Sequence, residues 1–483
     1  MRFFKFILSF LIVFLKIQII NAQSLEWSNT TKIRGNSIYT TIVGEDENGI
    51  YVIRHRNKLL SRFVVFERYR HNLGLETSKS FLLKNTRLLY VDINKNGLLV
   101  IKQIYFKKSK TYNIVATYFN SVFEPKINDK ILMNVQLHDN VPEPKIIIKP
   151  DETHSNYYIA NVSNIVSKIK SFEYSVYDIN LETKVNKTIA IDKKYKFDQI
   201  EDFVFENEYK LTFLASKRNI EDAVSQYFLL QTDNDVLRVK LLEDSNYLIS
   251  QAKILNNNFS KTKIVSGFYT SSYKSGYEGQ VFIKFRNIVK DSVNFIKTPF
   301  SKEIIKETEG EHKSQSGFIP ATYKLKKIIN CFNGSFVKVI ENTIINKDQE
   351  IIGINGSPTS QGKLIYFFEN LIIQNFDSSG NLVWESNINK IQNSINDGGI
   401  LSSVFVSNTQ NKINILYNYP VSNGGDIILA DFTPLGTKQV RKIVDGDLFN
   451  ALIISDEGKQ ISNNKIIVPV IKERKFALLK IQF

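Results

Sequence analysis

The stretch Ile372-Ile373-Gln374-Asn375-Phe376-Asp377-Ser378-Ser379-Gly380-Asn381-Leu382-Val383-Trp384 decides the fold of this chain. Its two ends are rich in the β-branched and aromatic residues that suit a pleated, half-buried surface. Between them, Asp377 can bond its own backbone in a turn, and Gly380 can supply a positive φ. The stretch therefore predicts a strand, a tight turn and a second strand.

Variants of this hairpin recur along the chain, for example around Glu45–Gly49 and Asn94–Gly97. The second strands of successive groups begin near residues 49, 97, 155, 208, 262, 334, 412 and 465. A repeat of about 50 residues is typical of a propeller or another β array, and the two longer intervals predict insertions in loops. The sequence therefore predicts an all-β protein.

We predict a single β-propeller of seven or eight four-stranded blades, with eight favoured. The last group, Ala451–Phe483, shows only about three strands, and residues 25–34 form a spare strand at the other end. Pairing the two would close the ring and remove two open edges. A tandem of two smaller propellers is the alternative, but no linker rich in Pro or Gly lies at mid-chain.

One short helical insertion is predicted near residues 301–310. Ser301 can cap its first turn, Ile304 and Ile305 supply an apolar face, and Gly310 can end it. The insertion could form a lid or be a long connecting loop.

Residues 1–22 have the pattern of a secretory signal peptide. Arg2 and Lys5 precede the apolar run Phe6–Leu15, and Ala22 offers a small residue for cleavage before Gln23. An uncleaved anchor is the alternative, but the run is too short to span a bilayer. We therefore expect an exported chain, with the propeller domain at 23–483, in the periplasm or outside the cell. No transmembrane segment is expected after cleavage.

The net charge of +15 does not by itself indicate a nucleic-acid partner, because lysines are scattered and form no long basic run. Lysines on exposed strands also discourage aggregation between sheets. The single cysteine, Cys331, excludes an intrachain disulfide and is expected to be an inert thiol.

Motifs for catalysis, metals and nucleotides are missing or incomplete. No pair of histidines has metal-ligand spacing, so each is interpreted as a scattered surface residue: His55, His71, His138, His154 and His312. Asp92–Gly97 matches half of a calcium loop, but Gln103 replaces the required Glu, which favours a hairpin turn. Gly356–Lys363 has the wrong spacing for a phosphate loop. We predict no catalytic residue, no metal site and no cofactor.

Three tyrosines are the candidate binding residues: Tyr269, Tyr273 and Tyr277, within the stretch Phe268–Tyr277. Tyrosines among small polar residues give rigid contact area and adaptable hydrogen bonding, as in binding loops. The alternative is that Tyr269 packs in its blade and that the other two cover a hairpin.

From Ala252 onward the chain resembles exported, uncharacterised β-propeller-like proteins of Bacteroidota bacteria. The resemblance is carried by Ile264–Tyr269, by Ile388–Gly399 with Gln392-Asn393-Ser394 and Asp397-Gly398-Gly399, and by Ile466–Val470 followed by Phe476–Phe483. It implies export and a propeller, and it brings no catalytic residues. The hairpin Asp377–Trp384 also looks like an isolated quinoprotein-type repeat, but its Trp does not recur, so cofactor binding is not implied.

Two functions are consistent with these observations. The first is a non-enzymatic, exported propeller, expected to be monomeric, that binds a partner protein or a cell-envelope component such as a polysaccharide. The alternative is a propeller-fold glycoside hydrolase or polysaccharide lyase with a pair of carboxylates as acid and base. The sequence cannot bring distant carboxylates together, so it leaves this choice open.

Overall fold

A computed structural model describes most of the chain between residues 24 and 483. The described residues are 24–33, 39–55, 63–83, 85–136, 145–162, 171–192, 194–195, 197–218, 225–233, 236–242, 246–271, 276–288, 295–331, 333–347, 363–409, 412–422 and 424–483. The predicted signal peptide and nearly all of the loop 356–363 lie outside these residues.

The strands form eight antiparallel sheets with four strands along the main path of each, so the chain is an eight-bladed β-propeller. This confirms the all-β prediction and selects eight blades over seven. Two short strands precede blade 1: β1 (Ser24–Trp27) and β2 (Thr31–Lys32). Blade 1 comprises β3 (Tyr39–Asp46), β4 (Gly49–His55), β5 (Phe63–Tyr69) and β6 (Leu75–Leu82). Blade 2 comprises β7 (Thr86–Asn94), β8 (Gly97–Phe106), β9 (Thr111–Phe119) and β10 (Pro125–Gln136).

Blades 3 to 5 follow in chain order. Blade 3 comprises β11 (Ile146–Pro150), β12 (Asn156–Asn161), β13 (Ser171–Asp178) and β14 (Thr183–Ala190). Blade 4 comprises β15 (Gln199–Phe205), β16 (Leu211–Arg218), β17 (Ser225–Asp233) and β18 (Val236–Leu242). Blade 5 comprises β19 (Leu248–Asn257), β20 (Thr262–Thr270), β21 (Gly279–Phe285) and β22 (Phe295–Pro299).

Blades 6 to 8 complete the propeller. Blade 6 comprises β23 (Tyr323–Asn330), β24 (Phe336–Lys347), β25 (Leu364–Phe376) and β26 (Leu382–Ile388), with β27 (Gln392–Ile395) added beside β25. Blade 7 comprises β28 (Phe405–Thr409), β29 (Lys412–Tyr419), β30 (Asp426–Phe432) and β31 (Lys438–Val444). Blade 8 contains β32 (Ala451–Ile453), β33 (Lys459–Ser462), β34 (Lys465–Lys472) and β35 (Lys475–Gln482).

The N-terminal strand completes blade 8, as predicted. β1 pairs antiparallel with β35, with Ser24 opposite Gln482 and Trp27 opposite Leu479. On the other side, β32 and β33 both pair with β34, so the first strand of this blade is interrupted. The two ends of the chain are therefore joined in one sheet.

The chain forms two compact units. One, here the three-blade unit, comprises Met1–Leu60, Val64–Ser80 and Val404–Phe483, and holds blades 1, 7 and 8. The other, here the five-blade unit, comprises Ser61–Phe63 and Phe81–Ser403, and holds blades 2 to 6. Because the three-blade unit is assembled from both ends of the chain, the two units are not a tandem of separate propellers.

Apolar side chains fill the space between facing sheets within each unit. In the five-blade unit, aromatic rings carry much of this packing: Phe172 of blade 3 lies 4.6 Å from Phe213 of blade 4, measured between ring centroids. Phe282 of blade 5 stacks on Phe336 of blade 6, which stacks on Phe376, with centroids 5.1 Å apart in both cases. Large buried rings of this kind dominate the energetics of a core.

The helical insertion is also confirmed. Helix α1 (Lys302–Glu309) begins after Ser301, whose Oγ accepts a hydrogen bond from the Ile304 backbone N–H at 3.1 Å. Ile304 and Ile305 are buried, and the helix ends at Gly310. Two further short helices are α2 (Glu311–Ser314) and α3 (Gly446–Phe449). No helix in the described part of the chain has the length and hydropathy needed to cross a membrane.

The hairpin between β25 and β26 has the predicted chemistry. Asp377 Oδ1 accepts hydrogen bonds from the backbone N–H groups of Ser379 at 2.8 Å and Asn381 at 2.9 Å. Gly380 has a φ of 94°, and a Cβ there would lie 2.3 Å from Cδ1 of Phe282. The turn therefore needs glycine both for its backbone conformation and for its contact with the Phe282 ring of the neighbouring blade.

Two edge strands carry little sequence signal. β10 is mostly exposed, and only Met133 and Val135 near its end alternate as buried apolar residues. β27 has only four residues, and it pairs with a part of β25 that continues beyond the blade. Both are edge strands, where polar or short sequences are expected because they discourage aggregation.

A glycine-to-alanine substitution at residue 380 tests the packing of this turn. We expect Gly380→Ala to lower the free energy of unfolding by about 1–3 kcal/mol beyond the backbone strain alone, because the new methyl group meets the Phe282 ring. Gly317→Ala is the matched control, since Gly317 also has a positive φ, 76°, but no atom lies within 4 Å of its added Cβ. Urea unfolding of both variants gives the comparison, and equal losses of stability would contradict the packing account.

Candidate functional site

The first strand of each blade, here called its inner strand, carries the candidate site in the five-blade unit. The inner strands of adjacent blades contact one another, for example β15 with β19 and β19 with β23. Four of the five inner strands in this unit contain a register shift, located between Leu88 and Tyr90, Ile200 and Asp202, Ser250 and Lys253, and Leu325 and Lys327. Such bulges bend a strand and re-aim its side chains.

Polar side chains bridge the edges of neighbouring inner strands. Lys145 Nζ, just before β11, donates a hydrogen bond to the Ile200 carbonyl of β15 at 2.6 Å. Lys149 Nζ of β11 donates to the Phe203 carbonyl at 2.7 Å and pairs with Asp202 Oδ1 at 2.7 Å. These lysines bond backbone carbonyl groups of the neighbouring inner strand, so part of the lysine content is structural.

Gln251 makes the same kind of bridge between blades 5 and 6. Its Nε2 donates to the Tyr323 carbonyl at 2.9 Å, and its Oε1 accepts from the Leu325 backbone N–H at 3.0 Å. Gln251 has a φ of 50° and lies within the register shift of β19. The bulge therefore aims an amide at the edge of the next inner strand.

Three lysines lie together on these two strands and are here called the lysine cluster: Lys253 of β19 and Lys326 and Lys327 of β23. Lys253 Nζ donates to the Lys326 carbonyl at 3.3 Å. The side chains of Lys253 and Lys327 reach solvent, and Lys326 is half-buried. The cluster thus places three lysines on the facing inner strands of two adjacent blades.

Two lysines of the cluster, Lys253 and Lys327, have lowered pKa values. Desolvation lowers the pKa of Lys253, the charge of Lys326 lowers it further, and Asp202 opposes this in part. Desolvation and the charge of Lys326 also lower the pKa of Lys327. Both side chains nevertheless reach solvent. An anion placed there would restore the charged form of each lysine.

The carboxylates of nearby inner strands already hold hydrogen bonds. Asp202 pairs with Lys149, and Glu201 Oε1 accepts from Ser216 Oγ at 2.5 Å and from Gln199 Nε2. Among the described residues, no group of three or more His, Cys, Asp and Glu side chains could hold a metal ion.

A histidine–aspartate pair joins blades 2 and 3. His154 Nδ1 lies 2.5 Å from Asp92 Oδ2, which also accepts from the Tyr157 hydroxyl at 2.9 Å. Asp92 is buried, whereas the His154 side chain is 41% exposed. The sequence analysis treated His154 as a scattered surface residue and did not pair it with Asp92. The pair joins residues more than 60 positions apart, and only the blade repeat could have suggested that the two hairpins are neighbours.

The hairpin prediction for Asp92–Gly97 is confirmed. Asn94 ends β7, its Oδ1 accepts from the Asn96 backbone N–H at 2.9 Å, and β8 begins at Gly97. The Asn94 amide also donates to the Tyr157 hydroxyl at 2.6 Å. These side chains therefore serve the turn and the junction between blades.

A buried ion pair lies in blade 6. Lys390 Nζ is 2.9 Å from Glu341 Oε1, and both side chains are almost fully buried. Glu341 Oε2 accepts from Ser403 Oγ at 2.5 Å, and Lys390 Nζ donates to Gln392 Oε1 at 2.7 Å. No sequence signal distinguished these residues, which tie the end of the five-blade unit to blade 6.

Two of the three predicted binding tyrosines lie in the core. Tyr277 is 5% exposed, stacks on Phe268 with centroids 4.4 Å apart, and accepts a hydrogen bond from Gln251 Nε2 at 2.8 Å. Tyr269 is 6% exposed and packs edge-on against Tyr247, and burial raises its pKa to about 12. Tyr273 lies outside the described residues. Little ring surface of Tyr269 and Tyr277 is open to a ligand, and a binding role for the three stays a prediction.

Comparisons with known proteins concern the fold alone. No protein-family model matches the chain, and no curated protein matches it. The WD40 domain of SCAP from fission yeast is 10% identical with a TM-score of 0.42, over 95% of this chain and 98% of that chain. Puromycin hydrolase is 8% identical with a TM-score of 0.43, over 92% of this chain and 61% of that chain. Prolyl oligopeptidase B from Galerina marginata is 9% identical with a TM-score of 0.41, over 90% and 56%.

The chain thus spans little more than half the length of these two enzymes. At this identity and TM-score, the likenesses carry no argument about activity, substrate or site residues.

Chemical labelling of lysines tests the electrostatics of the cluster. We expect Lys253 and Lys327 to be acetylated readily near neutral pH, because their lowered pKa leaves more free amine. Lys107 and Lys108, exposed lysines in the turn after β8, serve as reference sites. Lys326→Gln should slow both reactions, since it removes a neighbouring positive charge, whereas Lys108→Gln should change neither. Rates follow from peptide mass spectrometry, and rates for Lys253 and Lys327 that do not respond to Lys326→Gln would contradict the account.

Proposed function

We propose that this chain is an exported, non-enzymatic β-propeller that binds a partner protein or a component of the cell envelope. The observation that carries the proposal is the lysine cluster of Lys253, Lys326 and Lys327, on the inner strands of two adjacent blades. Lys253 and Lys327 reach solvent, and desolvation and the charge of Lys326 lower the pKa of both. Lysine side chains that reach solvent at a junction between blades can contact an anionic group of a ligand.

Export is supported by residues 1–22, with Arg2 and Lys5 before the apolar run Phe6–Leu15. The resemblance to exported propeller-like proteins of Bacteroidota supports the same compartment. A periplasmic or extracellular location places envelope components within reach and keeps nucleic acid away from the cluster.

The alternative, a glycoside hydrolase or polysaccharide lyase, receives less support. A glycoside hydrolase needs two carboxyl groups on either side of the bond, one of them protonated. Glu201 already accepts a hydrogen bond from Ser216, and Asp202 is paired with Lys149. A binding function requires no such protonated group.

Co-sedimentation with purified bacterial envelopes tests the proposal. We expect residues 23–483 to be retained on envelopes of a Bacteroidota species without releasing new reducing ends from the polysaccharide. Lys253→Gln/Lys326→Gln/Lys327→Gln should weaken retention. The matched control is Lys107→Gln/Lys108→Gln/Lys110→Gln, which removes the same charge from an exposed turn and should leave retention unchanged.

Two outcomes would overturn this proposal. Failure of the wild-type chain to sediment with envelopes would remove the binding function. Release of reducing ends or of unsaturated sugar ends would instead assign the chain to the enzymatic alternative.

A further inference from the structure

We propose that a small apolar surface on the three-blade unit joins two copies of this chain. The surface, here called the apolar patch, comprises Trp27 at the end of β1 and Leu448 and Phe449 of α3. Leu448 is 80% exposed and Phe449 is 37% exposed. The proposal does not rest on the proposed binding function, and it opposes the monomer that the sequence analysis expected.

The aromatic rings of the apolar patch are held in a fixed arrangement. The Trp27 and Phe449 rings are stacked, with centroids 5.6 Å apart and planes within 6° of parallel. Lys472 Nζ lies 5.0 Å from the Trp27 centroid and 5.4 Å from the Phe449 centroid. A ring that is already fixed loses little conformational freedom when a partner binds. Phe449 is therefore a preorganised anchor for an interface.

Helix α3 is tied to the blades on both sides of it. The Gly446 backbone N–H donates to Asp426 Oδ1 of blade 7 at 2.9 Å. A Cβ on Gly446 would lie 2.2 Å from the Gly424 carbonyl oxygen, so the helix packs directly on the turn before β30. The Glu473 N–H, in the turn between β34 and β35 of blade 8, donates to the Asn450 carbonyl at 3.1 Å. The exposed apolar side chains of α3 are therefore a fixed feature of the surface.

Charges of both signs surround the apolar patch. Lys442 Nζ lies 2.7 Å from Asp445 Oδ2 and 3.5 Å from Asp426 Oδ2. The charged residues beside the patch are the bases Lys442, Lys472 and Arg474 and the acids Asp426, Asp445, Asp447 and Glu473. The patch thus has no excess of positive charge, although the whole chain carries +15. Because a large net charge keeps copies of a protein apart, two copies approach most easily through such a surface.

The mixed charge favours a second copy over other occupants. An anionic membrane or an acidic polymer is attracted by an excess of lysine, which the patch does not have. A two-fold interface joins the same patch on both copies. Asp447 of one copy can then meet Lys472 of the other, and the reverse pair forms at the same time. An apolar centre with a charged rim is also the usual anatomy of a protein interface.

Sedimentation velocity over an about hundredfold range of protein concentration tests the proposal. We expect residues 23–483 to change from monomer to dimer as the concentration rises, because a small apolar centre gives a weak dimer. Leu448→Asp should raise the dissociation constant by more than about tenfold, since it places a charge at the centre of the interface. Its thermal unfolding should match that of the wild type, because Leu448 is exposed.

Leu435→Asp is the matched control. Leu435 is 88% exposed and lies in the turn between β30 and β31, at the opposite end of β31 from α3. This variant adds the same charge to the same unit, and it should form the dimer as the wild type does. An equal loss of dimer in Leu435→Asp and Leu448→Asp would show that net charge is responsible and would overturn the proposal.

Charge reversal tests the pairing across the interface. Asp447→Lys and Lys472→Glu should each weaken the dimer, and Asp447→Lys/Lys472→Glu should restore it, because each charge again meets its opposite. Thermal unfolding of each variant checks the fold. If Lys472→Glu folds poorly, Asp447→Lys alone provides the test, and a dimer that Asp447→Lys leaves unchanged would count against the proposed pairing.

Three outcomes would overturn the assignment to a second copy. The first is a wild type that stays monomeric at every concentration. The second is a dimer that Leu448→Asp does not weaken, because the interface then lies elsewhere. The third is retention of a monomeric wild type on phosphatidylcholine vesicles that Leu448→Asp abolishes, which would assign the patch to a lipid surface. Failure to sediment with envelopes would remove the proposed binding function and leave this proposal standing.

Discussion

The unpaired edge of each inner strand is the constraint that organises this protein. A strand at the edge of a sheet presents backbone N–H and C=O groups that need partners, and in an open form it invites pairing with another chain. In the five-blade unit, side chains from a neighbouring blade bond these groups. Lys145 bonds Ile200, Lys149 bonds Phe203, and Gln251 bonds Tyr323 and Leu325. The three-blade unit uses the same solution, since Gln460 bonds both the N–H and the carbonyl of Asn408.

This constraint explains why lysines accumulate at the inner strands. A lysine is long enough to cross from one blade to the next, and its ammonium group can bond a carbonyl while still reaching water. Lys149 does this beside a carboxylate, Asp202, so its charge is balanced. At the next junction, Lys253 bonds the carbonyl of another lysine, Lys326, and the charges there oppose one another. The same structural device therefore pairs a lysine with a carboxylate at one junction and brings lysines together at another.

Local signals made most of the fold predictable. Asp377 and Gly380 act within a few residues, so the sequence alone indicated their turn, and the recurrence of such turns gave the blade repeat. Ser301 and Gly310 bounded the helix for the same reason. The strand β10 was harder to predict, because most of its residues are exposed and only Met133 and Val135 alternate as buried apolar residues.

The candidate site could not be predicted, because its parts meet only through the fold. Lys253 lies more than 70 residues before Lys326, and the sequence analysis interpreted both as part of a scattered basic background. Register shifts next to Lys253 and Lys327 decide where their side chains point, and no local residue signals those shifts. Tyr269 and Tyr277 were predicted to be binding residues because they lie close together in the sequence. In the fold, Tyr269 is buried against Tyr247, and Tyr277 packs with Ile304 and Ile305 of α1 in one core cluster.

The pKa values of Lys253 and Lys327, measured by NMR of labelled lysine side chains in the wild type and in Lys326→Gln, test the junction between blades 5 and 6 most directly. Both values are predicted to lie below the ordinary lysine value in the wild type and to rise in Lys326→Gln, because desolvation and the charge of Lys326 lower them. Values for Lys253 and Lys327 that do not change in Lys326→Gln would contradict this account.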